Sequence, residues 1–94
     1  MYVNLYATLR HIVGKKTLTV DAPEPASVRN VVERVTIQYP ALAPEVWQAT
    51  GELQDSVHIF LNGRETRWLA QGLDTLLEPG DTLDIFPPVG GGAR

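Results

Sequence analysis

The sequence contains no cysteine. Disulfide bonds, thiolate metal sites and cysteine nucleophiles are therefore excluded, whereas the cellular compartment stays open because a chain without cysteine fits a reducing cytosol without requiring one. No apolar run approaches the roughly 20 residues that span a bilayer, and the first residues show no basic segment leading into an apolar one, so no signal peptide is predicted. We expect a cytoplasmic protein.

Positive charge is also scarce, with a net charge of -3. An acidic domain lacks the electrostatic footprint of proteins that bind nucleic acid or anionic membranes, so neither partner is expected. It can complement a partner protein with a basic surface. The 94 residues suffice for one small domain with a single core.

Signatures of catalysis are missing as well. The sequence contains no phosphate-binding loop, and Ser27, His11 and His58 show no triad-like pattern. We expect each histidine to be a surface or strand residue. The sequence predicts a protein that is not an enzyme and that binds no metal and no cofactor of its own.

Alternating apolar residues predict two strands at the start of the chain. Val3, Leu5 and Ala7 would share one face of the first strand, and Leu18 and Val20 one face of the second. Gly14 would permit the turn between them, which predicts a hairpin that ends in the proline-containing segment 21–25.

A helix should follow from Ser27, whose hydroxyl can cap the free amides of the first turn. Pro40 should stop it. The residues spaced for its buried face are Val28, Val31, Val32, Val35 and Tyr39.

The second half of the chain predicts three further strands. The first is marked by Val57, Ile59 and Leu61. A tight hairpin turn is predicted at Asn62-Gly63, followed by a short return strand over 64–67. The last strand is marked by Leu83 and Ile85. Segment 41–55 is irregular, with Trp47 as buried packing. Apolar residues expected to anchor the loop before the last strand are Trp68, Leu69, Leu73, Leu76 and Leu77.

This order of elements, with a helix crossing between early and late strands, is typical of an α+β, ubiquitin-like β-grasp domain. We expect a mixed sheet with one main helix packed on one face. Residues 1–88 would form the domain and 89–94 a flexible C-terminal tail.

Gly90, Gly91 and Gly92 stand next to the chain end. Ordering a glycine costs more backbone conformational entropy than ordering any other residue, but a terminal run is ordered only when the tail is bound. Without a Cβ it can thread a narrow channel, and from Pro88 to Gly92 it could reach roughly 15 Å. The tail alone could equally be an unstructured end or a cloning remnant.

Residues 76–92 nevertheless resemble the C-terminal signature of MoaD/ThiS-like sulfur carriers, which include the small subunit of molybdopterin synthase. The shared pattern is a leucine, a Pro-Gly-Asp turn, an apolar strand, a proline step and terminal glycines. Segments 59–65 and 72–75 resemble the longer members of the group, one type of which serves cysteine biosynthesis.

The resemblance implies a mechanism. An adenylating enzyme related to ubiquitin activators, using ATP and magnesium, would activate the terminal carboxylate of Gly92, and sulfur would then replace AMP. The resulting thiocarboxylate would donate sulfur inside an acceptor enzyme such as the molybdopterin synthase large subunit.

One departure from the pattern is that Ala93 and Arg94 follow the glycines. We interpret the chain as a precursor that a processing protease cuts after Gly92, or after Gly91 if the cut falls one residue earlier. The alternative is that the two extra residues make the protein inert.

The sheet face away from the helix should carry Tyr2, Tyr6, Phe60 and Phe86, with His58 nearby. Four exposed aromatics on so small a domain favour a docking surface, although a loop or a second copy could cover them. Polar residues Arg64, Glu65 and Arg67 are expected to be solvated. Within the family resemblance, the residues expected to contact partners are Tyr6, Phe60, Phe86, Pro87, Pro88 and Val89.

Three functions remain open. The chain is a sulfur carrier for molybdopterin, cysteine or tRNA thiolation, a ubiquitin-like modifier joined to lysines, or a β-grasp interaction module whose tail is irrelevant. The molybdopterin pathway ranks first because its signature is the most similar.

Overall fold

The structure, a computed structural model, describes residues 1–22 and 24–88. It contains five strands, three α-helices and three short 3-10 turns among these residues. The strands are β1 (Tyr2–Leu5), β2 (Thr17–Thr19), β3 (His58–Leu61), β4 (Arg64–Glu65) and β5 (Thr82–Phe86). The helices are α1 (Ala7–Val13), α2 (Val28–Gln38) and α3 (Ala43–Val46), and the 3-10 turns are Pro40–Leu42, Thr66–Trp68 and Gly72–Asp74.

All five strands form one mixed sheet in the order β2-β1-β5-β3-β4. The last strand, β5, lies at its centre. It pairs parallel to β1, with Val3 beside Leu83, and antiparallel to β3, with Ile59 beside Ile85. A parallel pair requires a long crossover connection, which α2 provides. The predicted β-grasp fold is confirmed.

The core lies between one face of the sheet and α2. The predicted inward residues of the strands are buried, except that Leu61 is only partly so. Alternation thus placed the strands in the correct register, because shifting any of them by one residue would turn its apolar set to solvent. The fully buried strand side chains are Val3, Leu5, Ile59, Leu83 and Ile85.

Helix α2 begins as predicted. The Ser27 hydroxyl accepts a hydrogen bond from the Asn30 amide at 3.1 Å, and the Asn30 side chain accepts one from the Ser27 amide at 3.1 Å. This capping box satisfies two amides at the start of the helix. The helix ends at Gln38, two residues before Pro40.

The connection between β1 and β2 differs from the prediction. The two strands pair antiparallel, but the first strand ends at Leu5 and Ala7 begins α1 instead of continuing it. Ala7 has φ 52°, which no local pattern favours for alanine. Burial of Leu9 holds the helix against the core, and Gly14, with φ 84°, ends it.

Two of the predicted loop anchors are exposed. Trp68 is 82% and Leu76 64% accessible, so neither side chain anchors the segment before β5, although the backbone of Leu76 forms a bridge to Ser27. Leu69, Leu73 and Leu77 are partly buried. The return strand is shorter than predicted because Thr66–Trp68 forms a 3-10 turn. Trp47 is partly buried, and its indole donates to the Thr36 hydroxyl at 3.0 Å.

Among residues 1–22 and 24–88, no helix is both long enough and apolar enough to cross a bilayer.

The capping box yields a test of the fold. Ser27→Ala should lower the free energy of unfolding by about 1 kcal/mol, because the Asn30 amide loses its acceptor. For a domain of this size that corresponds to a fall in Tm of about 4–8 °C by calorimetry. Ser56→Ala, at an exposed turn, is the matched control, and equal Tm values for the two variants would contradict the role of the cap.

Candidate docking face and tail exit

The tail leaves the domain from the end of the central strand. β5 ends at Phe86, after which Pro87 is buried and Pro88 exposed. Of the two prolines predicted to contact partners, only Pro88 offers its ring to solvent. Val89, the glycines 90–92 and the processing site at 93–94 lie outside the described residues, so their predicted roles stay predictions.

Three aromatic rings meet at this exit. Tyr6 stacks on Phe86 with ring centroids 4.1 Å apart and planes 9° apart, and Phe60 meets Phe86 edge to face at 5.4 Å. We call Tyr6, Phe60 and Phe86 the aromatic cluster. Each is partly exposed, and all lie on the sheet face opposite α2. Tyr2 shares this face at its other end, is 58% exposed and takes no part in the cluster.

The parallel pairing of β1 and β5 positions Tyr6. Leu5 lies beside Ile85, so the next residue of each chain, Tyr6 and Phe86, is brought side by side. The Tyr6 hydroxyl donates to Asp84 Oδ1 at 3.2 Å. Burial raises the pKa of the Tyr6 phenol, and the nearby Asp84 carboxylate raises it further by disfavouring the phenolate.

Asp84 is a feature of this face that the sequence analysis did not single out. Its Oδ1 also accepts from the Asn4 side-chain amide at 2.9 Å, and Asn4 Oδ1 in turn accepts from the Thr17 hydroxyl at 2.7 Å. The sequence does show a polar residue on the outer face of the last strand. It could not show the hydrogen-bond partners, which lie 80 and 78 positions away in the chain.

Glu65 is not the solvated polar residue that was predicted, whereas Arg67 is exposed as predicted but is also held by several hydrogen bonds. The Glu65 side chain is only 14% exposed and its Oε2 lies 2.7 Å from Arg67 Nη1 and 2.6 Å from His58 Nδ1. His58 Nδ1 also lies 3.0 Å from Arg67 Nη1, so the imidazole, the carboxylate and the guanidinium form one hydrogen-bonded group. The hydrogen bond from His58 lowers the pKa of Glu65, burial opposes this, and Arg67 adds to the lowering.

Arg67 also fastens the loop before β3 to this edge of the sheet. Its Nη2 donates to the carbonyl oxygens of Val57 at 2.8 Å, Asp55 at 2.9 Å and Gln54 at 3.3 Å. A guanidinium carries five N–H donors in a fixed planar arrangement, so one side chain can bond to several acceptors. Arg64, by contrast, is exposed, as predicted.

The three residues considered for catalysis have separate roles. Ser27 caps α2, His11 is exposed on α1, and His58 is the strand residue that it was predicted to be. Within the part of the chain that the structure describes, no group of three or more histidine and carboxylate side chains could hold a metal ion. We call the sheet face opposite α2, which carries the aromatic cluster and Asp84, the candidate docking face. It lies beside Pro88, the last described residue.

Comparison with known proteins agrees with this geometry. The profile described as the ThiS family matches residues 3–92. Small archaeal modifier protein 3 of Haloferax volcanii is 34% identical over 90 residues, which are 96% of this chain and 96% of that protein.

Solved structures share the fold. The crystal structure of SAMP1 from Haloferax volcanii superimposes with a TM-score of 0.85 at 33% identity, covering 97% of each chain. A chain of the Amycolatopsis orientalis BexX/CysO complex gives a TM-score of 0.79 over 97% of this chain and 98% of that one. Its identity of 24% is evidence for the fold alone.

Truncating the central ring tests the docking face. Phe86→Ala removes the ring that both Tyr6 and Phe60 contact, and we expect partner binding to weaken by about 2 kcal/mol or more, as for an interface anchor. The domain should stay folded because Phe86 lies outside the core. Trp68→Ala removes an exposed aromatic outside the cluster and is the control. Unfolding of Phe86→Ala by circular dichroism would contradict the placement of this ring.

The lowered pKa of Glu65 predicts a pH dependence. The charged carboxylate stabilises the fold fully above the ordinary pKa of glutamate, and this contribution is lost as the pH falls through the lowered folded value. Glu65→Gln should therefore lower Tm at neutral pH, and the difference from wild type should vanish in acid. Parallel Tm curves across that range, measured by thermal denaturation at a series of pH values, would refute this role.

Proposed function

Because this chain belongs to the ThiS family, we propose that it is a sulfur carrier whose C-terminal glycine bears the transferred sulfur as a thiocarboxylate. Proteins of this family are small ubiquitin-like carriers and modifiers that work with partner enzymes and are not themselves catalysts. The membership of a MoaD/ThiS-like family, which was expected from the sequence, is confirmed.

The proposed chemistry begins at an unreactive group. The Gly92 carboxylate attacks the α-phosphate of ATP in an adenylating enzyme of the ubiquitin-activating type, which releases pyrophosphate and leaves an acyl adenylate. A hydrosulfide ion then attacks the acyl carbon, the carbon–oxygen bond to AMP breaks, and loss of the proton leaves the thiocarboxylate. ATP and magnesium belong to the partner, and this chain supplies the reacting terminus and the surface that positions it.

The observation that carries the proposal is the position of the last described residues, from which the tail continues. The chain emerges from the central strand directly after Phe86, beside the aromatic cluster. A partner that docks on the cluster therefore receives the glycine tail at a fixed origin. Orienting a reacting group in this way replaces a loose bimolecular encounter with a positioned one.

Removal of Ala93 and Arg94 is part of the proposal. Ala93 and Arg94 follow Gly92 in the sequence, and the long charged side chain of Arg94 does not suit a channel shaped for glycine. A processing protease would expose Gly92, or Gly91 if it cuts one residue earlier.

Molybdopterin synthesis is the pathway that we place first, with the large subunit of molybdopterin synthase as sulfur acceptor. The support is the likeness of residues 76–92 to the small subunit of that enzyme. Cysteine biosynthesis and tRNA thiolation use the same chemistry and are the alternatives within the carrier function. We place the protein in the cytoplasm, where such enzymes would meet it.

A second candidate function is protein modification. The relative from Haloferax volcanii is named a modifier protein, and a modifier uses the same activated glycine but passes it to a lysine amine, forming an isopeptide bond. Lys15 and Lys16 are the only lysines of this chain, so chains linked to one another would be joined there. A plain interaction module, with an irrelevant tail, is the remaining alternative.

Intact-mass spectrometry separates these functions. The untagged protein is incubated, together with ATP and a sulfide donor, in an extract of its own cells, which supplies the adenylating enzyme, any processing protease and other proteins. A carrier should shorten to Gly92 and gain the mass difference between sulfur and oxygen. A modifier should appear joined to lysines of other proteins.

Two variants control the experiment. A chain ending at Gly92 should react without the protease, whereas one that ends at Gly92 with Gly91→Val should not thread the channel. If the chain ending at Gly92 keeps its mass throughout, the carrier function is wrong and the interaction module remains.

A further inference from the structure

Asp84 lies at the centre of the docking face. It sits on the middle strand with Asn4 beside it on β1 and Phe60 beside it on β3. Thr17 lies beyond Asn4 and Glu65 beyond Phe60. These five residues form one row across all five strands, and Asp84 is its midpoint.

Only one of the two carboxylate oxygens of Asp84 accepts hydrogen bonds from described residues. Oδ1 accepts both hydrogen bonds, from Asn4 and from Tyr6, while no hydrogen bond from a described residue reaches Oδ2. Among those residues, no fully buried side-chain oxygen or nitrogen lacks a partner, so Oδ2 is not enclosed within the domain, and Asp84 as a whole is partly exposed. The fold therefore holds one oxygen in place and presents the other outward.

The surroundings of this oxygen favour a cation. The aromatic cluster lies on the same face, and the π-faces of such rings attract ammonium and guanidinium groups. The chain itself provides an example, since Lys16 Nζ lies 5.3 Å from the centroid of the Tyr6 ring. The net charge of -3 adds a general attraction for a basic surface.

We propose that the docking face accepts one basic side chain of the partner, an arginine or lysine, which pairs with Asp84 Oδ2 while its stem packs against the aromatic cluster. This inference rests on the proposed function, because it names what the adenylating enzyme must present to the carrier. Asp84 is then the residue that sets the register of docking, and the aromatic rings supply the contact area.

The setting makes this carboxylate different from others on the surface. Asp74 pairs with Arg29 at 3.2 Å, but its side chain is 72% exposed, and such pairs contribute little. Asp84 would be covered by the partner and by the rings around it. Loss of one member of a desolvated pair leaves the other charge buried and unpaired, which costs far more than loss of an exposed pair.

The test compares Asp84→Asn with Asp74→Asn, each in the chain that ends at Gly92. Both remove one negative charge, so long-range attraction changes equally. The amide oxygen of Asp84→Asn can still accept from Asn4 and Tyr6, which keeps the face intact. Binding to the adenylating enzyme is measured by calorimetry and adenylation by pyrophosphate release.

We expect Asp84→Asn to raise Kd and KM by at least about tenfold, with kcat and Tm near the wild-type values, and Asp74→Asn to change neither. Equal Kd values for the two variants would overturn the inference while leaving the carrier function standing. A fall in Tm for Asp84→Asn with no loss of binding would also overturn the inference, because a purely structural residue would give that result.

The two proposals fail in different ways. If wild type binds the enzyme and depends on Asp84 but is never adenylated, the carrier function is wrong and the cation site stands. If wild type does not bind the enzyme at all, the cation site is wrong for that partner together with the function from which it was inferred.

Discussion

The pairing of β5 with a strand on each side is the constraint on which the rest of the structure depends. Every other part of the sheet is placed relative to it, since β1 and β3 flank it and carry the edge strands β2 and β4. Its inward residues, Leu83 and Ile85, are fully buried or nearly so. Its outward residues, Asp84 and Phe86, form the middle of the docking face. One five-residue strand thus divides the core from the binding surface.

This arrangement also links docking to the position of the tail. Tyr6 and Phe86 stack across the β1–β5 boundary, and Tyr6 bonds to Asp84, so the face is held by side chains as well as by the backbone ladder. On the other flank, Glu65, His58 and Arg67 fix the β3–β4 edge. A partner that docked here as proposed would meet a surface whose parts are already oriented, which would lower the entropy cost of association.

Local patterns predicted the strands, the capped helix and the turn at Asn62 and Gly63, where φ is 50° and 85°, because each depends on neighbouring residues. They failed where distant contacts decide. Ala7 adopts a positive φ only because the rest of the domain holds α1 in place. Arg67 bonds to carbonyl groups that folding brings near it, and the predicted partner roles of Phe60 and Phe86 stay predictions although their place in the cluster is now clear.

The central position of β5 has a mechanical consequence. In the proposed function, a partner that draws the glycine tail into its channel would pull along the axis of a strand that is paired on both edges. The load then falls on both hydrogen-bonded ladders in shear, and their bonds must break together rather than one after another, as they would if an edge strand were peeled away. The domain would therefore resist unfolding when a partner enzyme pulls on the tail.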